Sequence, residues 1–246
     1  MHTLANEHSS FLVVDDIDVH YGVVQALFGV SLHVGRGEVV SVLGGNASGK
    51  STTLKSVLGL VRPSSGKIFL EGEAIHGKQA AEVIDLGVAS VPEGRRVFPE
   101  MSVLENLLMG AYPRRKDKEA IEADLEVVFA SFPRLAERRK QAAGTLSGGE
   151  QQMLALGRAW LRRAQLICID EPSMGLSPKF VDAVYEVLFR WKAAGQTILL
   201  VEQNARIALE LADRAYVLQH GQVVLSGSAR DLATDAAVQK AYLGAV

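Results

Sequence analysis

Gly44-Gly45-Asn46-Ala47-Ser48-Gly49-Lys50-Ser51 is the stretch on which the fold turns. Val39-Val40-Ser41-Val42-Leu43 precedes it as a compact apolar strand, and Thr53, Leu54, Val57 and Leu58 follow at helical spacing. The loop fits the pattern G-x-x-x-x-G-K-[ST] within a strand, loop, helix unit. Small residues let consecutive backbone N–H groups curl round an anion, and the helix N-terminus adds partial positive charge. Gly44, Asn46, Ala47, Ser48, Gly49, Lys50, Ser51 and Thr52 are therefore candidate phosphate-binding residues. Lys50 is expected to reach the β- and γ-phosphates of a nucleoside triphosphate, with the Ser51 hydroxyl on Mg2+. A plain glycine-rich turn is the competing reading, and the flanking elements argue against it.

A second half of such a site lies at Gln165-Leu166-Ile167-Cys168-Ile169-Asp170-Glu171-Pro172, an apolar strand ending in adjacent carboxylates. Neighbouring strand residues point to opposite sides, so the two acids are expected to have separate roles. By resemblance to the Walker B motif of nucleotide hydrolases, Asp170 would orient Mg2+ and Glu171 would polarise the attacking water as general base. Cys168, within the strand, reads as a small packing residue. A third segment, Leu146-Ser147-Gly148-Gly149-Glu150-Gln151-Gln152, opens a helix with a Ser-x-x-Glu capping box. A helix start carrying a hydroxyl and two glycines can also receive an anion.

Between these motifs the character of the chain changes twice. Phe11 to Gly37 alternates short β-like runs with turns and predicts an antiparallel β region. Lys67–Gly72 and Gly87–Val91 predict further strands. Ser102 to Glu105 then predicts a capped helix over Leu104, Leu107 and Leu108. Ile121, Leu125, Val128 and Phe129 share one helical face, Pro133 starts another short helix, and an inserted helical subdomain is expected over about residues 94–160. Strands at Gln165–Ile169 and Thr197–Val201, a helix over Phe180, Val184, Val187 and Leu188, a last helix at about Ala205–Leu211 and a hairpin around His220-Gly221 complete an α/β pattern. Residues 1–10 read as a flexible tail without a secretion signal, and residues 11–246 as one domain.

The formal charge of −2 leaves no global basic surface for nucleic acid, so no nucleic-acid partner is expected. One cysteine cannot form an internal disulfide and suits a reducing compartment. No apolar run approaches the length of about 18 residues that suggests a membrane span, so membrane association is expected through a partner.

The phosphate loop, the Asp170-Glu171 strand and the LSGGEQ segment together resemble the ABC-type ATPases. The resemblance runs from Tyr21 to Leu243 and implies an α/β fold: a RecA-like P-loop NTPase core with an antiparallel β subdomain and the inserted helical subdomain. It implies ATP and Mg2+ as ligands, Tyr21 as the aromatic stacking on adenine, and Ser147 and Gly149 as contacts to the γ-phosphate of ATP held by a second subunit. Several positions depart from the general pattern. Ala47 replaces a usual glycine, and would strain the loop if its φ is positive. Glu93, in Val91-Pro92-Glu93-Gly94-Arg95-Arg96, takes the place of the Q-loop glutamine beside the metal. Gln203 replaces the switch histidine, and none of the histidines, at 2, 8, 20, 33, 76 and 220, could serve instead. Gln203 can bond a phosphate oxygen or water but cannot carry an imidazolium charge. Ser177 stands at the D-loop aspartate position.

These departures resemble the LivF type of ATPase in high-affinity branched-chain amino acid importers. That likeness implies a peripheral position on the cytoplasmic face of the inner membrane. It also implies a head-to-tail dimer with a LivG-type second ATPase, permease subunits in the membrane and, indirectly, a periplasmic binding protein. Glu171, Gln203 and Lys50 would be catalytic, and Ser51, Asp170 and Glu93 would face the metal. The same role in a urea or short-chain amide importer, and a soluble ABC ATPase outside transport, are the alternatives. Fused tandem halves or long coiled-coil insertions would favour the soluble class, and neither is seen in this sequence. Arg114-Arg115-Lys116 reads as a solvated loop.

Overall fold

Val39–Leu43 (β3) is buried at every residue and lies inside a six-stranded sheet, in the computed structural model that describes residues 10–243. Its parallel neighbours are Thr197–Glu202 (β8) and Arg214–Gln219 (β9). Leu166–Asp170 (β7) and Val88–Val91 (β6) extend the sheet on one side, and Gln222–Ser228 (β10) closes the other as an antiparallel edge. The order is therefore β10-β9-β3-β8-β7-β6. Both faces of the central strands are covered, which is why their sequences are nearly continuous apolar runs. The period of two still sorts the side chains: Ile167 and Ile169 of β7 face one core, and Cys168 between them faces the other.

One core lies beneath a four-stranded antiparallel sheet of order β2-β1-β4-β5, made from Ser10–Tyr21 (β1), Val24–Gly35 (β2), Ser65–Leu70 (β4) and Glu73–Ala74 (β5). Lys50–Val57 (α1) and Ala80–Asp85 (α2) pack with it. The other core is covered by helices: Val103–Gly110 (α3), Lys118–Ser131 (α4), Pro133–Glu137 (α5), Gly148–Leu161 (α6), Pro178–Ala193 (α7) and Ala205–Leu211 (α8). α3 and α6 approach closely because Gly157 has no side chain; a Cβ there would lie 2.8 Å from Leu107 and 2.8 Å from Val128. The buried Asp124 of α4 ties this helical stretch together by pairing with Arg114 and, at 2.8 Å, with Arg163 beyond α6.

Two parts of the sequence reading need revision. Ala205–Leu211 is not the last helix, because Ala229–Thr234 (α9), Ala236–Val238 (α10) and one wide turn at Gln239–Leu243 follow the hairpin. They are too short for a helical period to register, but Ser228 and Asp235 cap them and Leu232 and Val238 seal the core beside α8. The helix α2 also escaped, since its capping box uses Gln79 with Glu82 rather than Ser or Thr. Residues 1–9 of the expected tail lie outside the described residues.

The loop leading into α3 depends on one amide. Asn106 is fully buried; its Oδ1 accepts from the Phe98 N–H at 2.8 Å and its Nδ2 donates to the carbonyls of Phe98, Met101 and Ser102 at 3.0–3.2 Å. Buried groups that lose such a partner each carry a desolvation cost. Asn106→Ala is expected to lower stability by about 2 kcal/mol and the melting temperature by about 5 °C, read by thermal unfolding.

Candidate functional site

The carboxyl ends of β3, β6, β7 and β8 meet at one edge of the parallel sheet, and a cleft opens there, the usual position for a ligand in such sheets. Its lining is Asn46, Ala47, Ser48, Gly49, Lys50, Ser51 and Thr52 from the loop between β3 and α1, joined by Glu93, Glu171 and Met174. The loop is braced from behind. The N–H of Gly221, in the β9–β10 turn, donates to the Ser48 carbonyl at 2.9 Å, and the Gly221 carbonyl accepts from Phe28 of β2 at 2.9 Å. Gly44 lies beneath the cleft rather than on its lining: at φ 156° it passes so close to Ser48 that a Cβ would sit 2.5 Å from the Ser48 hydroxyl.

Lys50 is 4% exposed in its side chain; its Nζ donates to the Gly45 carbonyl at 2.9 Å and pairs with Glu171 Oε1 at 3.3 Å. The Ser51 hydroxyl donates to Asp170 Oδ1 at 3.0 Å. Burial pushes the Asp170 carboxyl above its ordinary range, opposed by the Ser51 hydrogen bond, while the nearby Glu171 and Glu93 charges push it further up. A cation beside Asp170 would relieve that. Among the described residues the buried Ser48 hydroxyl has no hydrogen-bond partner; it folds back over Gly44, beneath the cleft. The donor set therefore fits a phosphate chain with Mg2+, a metal that takes one or two carboxylates and fills its shell with phosphate oxygens and water.

The two acids are separated more sharply than alternation along a strand implies. β7 ends at Asp170, and Glu171 turns into the left-handed region at φ 46°, its N–H held by the Val201 carbonyl at 2.8 Å. That turn, rather than strand pleating, points Glu171 to Lys50 while Asp170 meets Ser51. Ala47 is also left-handed, at φ 59°, so the strain anticipated from its replacing glycine is present. Cys168 is completely buried and its thiol is pushed far above the ordinary range by burial, which leaves it a packing residue.

Tyr21 is half exposed at the end of β1, with its hydroxyl 3.5 Å from Thr52 Oγ1, so its ring stands free beside the loop. Gln203 is exposed at the end of β8, does not line the cleft, and its side chain makes no hydrogen bond among the described residues. Ser147 and Gly149 also lie away from the cleft lining, at the start of α6. There Ser147 accepts from the Glu150 N–H while Glu150 accepts from the Ser147 N–H at 2.9 Å. Gly149 is required by packing, since a Cβ would collide with the Phe180 ring of α7. The sequence reading missed Glu202, the buried last residue of β8, and its partner Ser173. A lone acid ending an otherwise apolar strand was the available signal.

The ABC transporter family profile matches residues 27–174, which span the phosphate loop, the Leu146–Gln152 segment and the Asp170-Glu171 pair. The chain belongs to the ABC transporter family. It is accordingly a nucleotide-binding ATPase. It is 45% identical to the high-affinity branched-chain amino acid transport ATP-binding protein BraG of Pseudomonas aeruginosa, over 95% of this chain and 99% of that one. The probable branched-chain amino acid transport ATP-binding protein LivF of Archaeoglobus fulgidus is 38% identical over 94% and 97%. A solved ATP-binding subunit of an ABC transporter superposes with a TM-score of 0.83 at 29% identity, covering 95% of this chain and 96% of that one.

An ABC ATPase with glycine at position 47 would occupy the left-handed backbone without a Cβ penalty. Ala47→Gly is expected to gain about 0.5 kcal/mol, because release of the strain outweighs the added freedom of the unfolded chain, and to raise the melting temperature by about 1–2 °C. A lower melting temperature would show that the loop is not strained at Ala47.

Proposed function

We propose that this chain is an ATP-hydrolysing subunit that powers import of branched-chain amino acids. The observation that carries this reading is end-to-end similarity to BraG, a branched-chain amino acid transport ATP-binding protein. In this reading the chain sits peripherally on the cytoplasmic face of the cell membrane, joined to permease subunits. No helix among the described residues is long and apolar enough to cross a membrane.

The residues in and beside the cleft then divide the work. Tyr21 stacks on adenine, and the backbone N–H groups of 46–52 with Lys50 hold the phosphates. Ser51 and Asp170 would hold Mg2+, with Glu93 nearby, and the ion would supply charge neutralisation to the phosphates. Glu171 accepts a hydrogen bond from the attacking water and takes up its proton as the water oxygen bonds to the γ-phosphorus and the bond from that phosphorus to the β–γ bridging oxygen breaks, so that ADP leaves with the bridging oxygen and its electron pair. Gln203 supplies a neutral contact to a phosphate oxygen or that water.

Ser147 and Gly149 lie outside their own chain's cleft, which supports their serving ATP held by a second subunit in a head-to-tail dimer. Glu93, Gln203 and Ser177 favour a non-identical LivG-type partner, so that two unlike sites share the work. A periplasmic binding protein would deliver the amino acid.

Glu171→Gln keeps the size of the side chain and removes the base. It is expected to retain ATP binding, to trap the paired ATPases and to cut turnover by about 100-fold or more. Turnover at the native rate would exclude Glu171 as the base. For cargo, the assembled transporter in proteoliposomes should hydrolyse ATP faster with a leucine-loaded binding protein. Stimulation by urea or a short-chain amide instead would move the chain to the alternative importer.

A further inference from the structure

β8 reads Thr197-Ile198-Leu199-Leu200-Val201-Glu202 and is buried throughout. Packing alone would continue the apolar run, yet its last residue is a carboxylate only 1% exposed. Among the described residues no Lys, Arg or His forms an ion pair with it; neutral donors surround it instead. The Ser173 hydroxyl lies 3.0 and 2.9 Å from its two oxygens, and the Tyr185 hydroxyl of α7 donates to Oε2 at 2.9 Å. The backbone N–H groups of Gln203 and Asn204 donate to Oε1 at 2.9 and 3.1 Å. Both carboxyl oxygens therefore have hydrogen-bond donors in the interior. Burial and the adjacent Glu202 charge hold Tyr185 well above its ordinary range, so its hydroxyl remains a donor.

The donors come from three separate segments: one carries the cleft residues Glu171 and Met174, one is α7, and one is the turn of Gln203. Ser173 is two residues beyond Glu171, in the turn that begins with its left-handed backbone. Gln203 directly follows Glu202. The Glu171 turn is thus fastened to β8 twice, by the Glu171 N–H on the Val201 carbonyl and by the Ser173 hydroxyl on the Glu202 carboxylate. The same carboxylate fixes the first two N–H groups of the Gln203 turn.

We propose that Glu202 is a positioning residue that holds the Glu171 turn and the Gln203 turn in one fixed register through its shared carboxylate. Buried at the end of β8, it acts through the residues on either side. A glutamine could still accept from the two backbone N–H groups, but its NH2 would face the Tyr185 and Ser173 hydroxyls, which would have to turn away. The register would loosen where the misplacement of a reacting group is most costly.

The proposal rests on the reading of Glu171 as the base, and the test separates the two. Ser173→Ala, Ser173→Thr, Glu202→Gln and Glu171→Gln are compared in the full-length protein within its transporter assembly. Steady-state ATP hydrolysis, binding of a fluorescent ATP analogue and thermal unfolding are measured for each. Ser173→Ala and Glu202→Gln are expected to lower kcat about tenfold, because the base is displaced rather than removed. KM for ATP and affinity for the analogue should stay within about twofold. Ser173→Thr, which keeps the hydroxyl, should restore kcat. If Glu202→Gln does not fold, the two Ser173 variants decide alone. Native kcat in Ser173→Ala beside an inactive Glu171→Gln overturns the proposal and leaves the base intact. Loss of kcat, ATP affinity and melting temperature together, without rescue by threonine, also overturns it. Native turnover in Glu171→Gln removes the base reading, and the proposal with it.

Discussion

The placement of β3 between β8 and β9 is the constraint from which the cleft follows. A parallel strand with parallel neighbours delivers the loops at their carboxyl ends to the same edge. The glycine-rich loop after β3, the acidic turn after β7 and the Gln203 turn after β8 are neighbours for that reason, although they are far apart in sequence. The helical face and the antiparallel sheet bury the two sides of this platform. The edge that remains open carries one group of the chain's buried charges. Lys50, Asp170, Glu171 and Glu202 are all nearly buried there, each held by a specific partner.

Among the described residues eight non-glycine residues adopt left-handed φ, and four of them, Ala47, Arg95, Arg96 and Glu171, lie in the loops that follow β3, β6 and β7. Such residues persist only when their surroundings hold them. For Glu171 the holding contacts are visible: the Val201 carbonyl behind it and, through Ser173, the end of β8 in front. The carboxylate is turned toward Lys50 by the strained backbone, so strain and orientation are one feature.

Much of this was legible in the sequence because the signals were local. The spacing from Gly44 to Ser51, the apolar runs of β3, β7 and β8, and the capping boxes at Ser102 and Ser147 each specify their own segment. What was not legible depended on distant partners. Nothing near Gly44 says that it lies beneath the cleft, because the crowding comes from Ser48 folding back and from β9. The turn at Glu171 is imposed by a carbonyl from β8. The importance of Glu202 appears only when Ser173 and Tyr185 are brought beside it. The short α9 and α10 escaped because a few residues cannot display a helical period, and their caps gain meaning from the core they cover.

The brace behind the phosphate loop has a consequence for how the chain is made. The loop is an early segment, but the strands on either side of β3 and the Gly221 N–H that secures Ser48 belong to the last fifth of the sequence. A growing polypeptide that emerges amino end first therefore carries the loop unsupported until β8, β9 and the hairpin leave the ribosome. Contacts of such long sequence separation form late and close slowly. Nucleotide, which needs the finished loop, can engage only a chain in which β8, β9 and the hairpin at Gly221 have already been made.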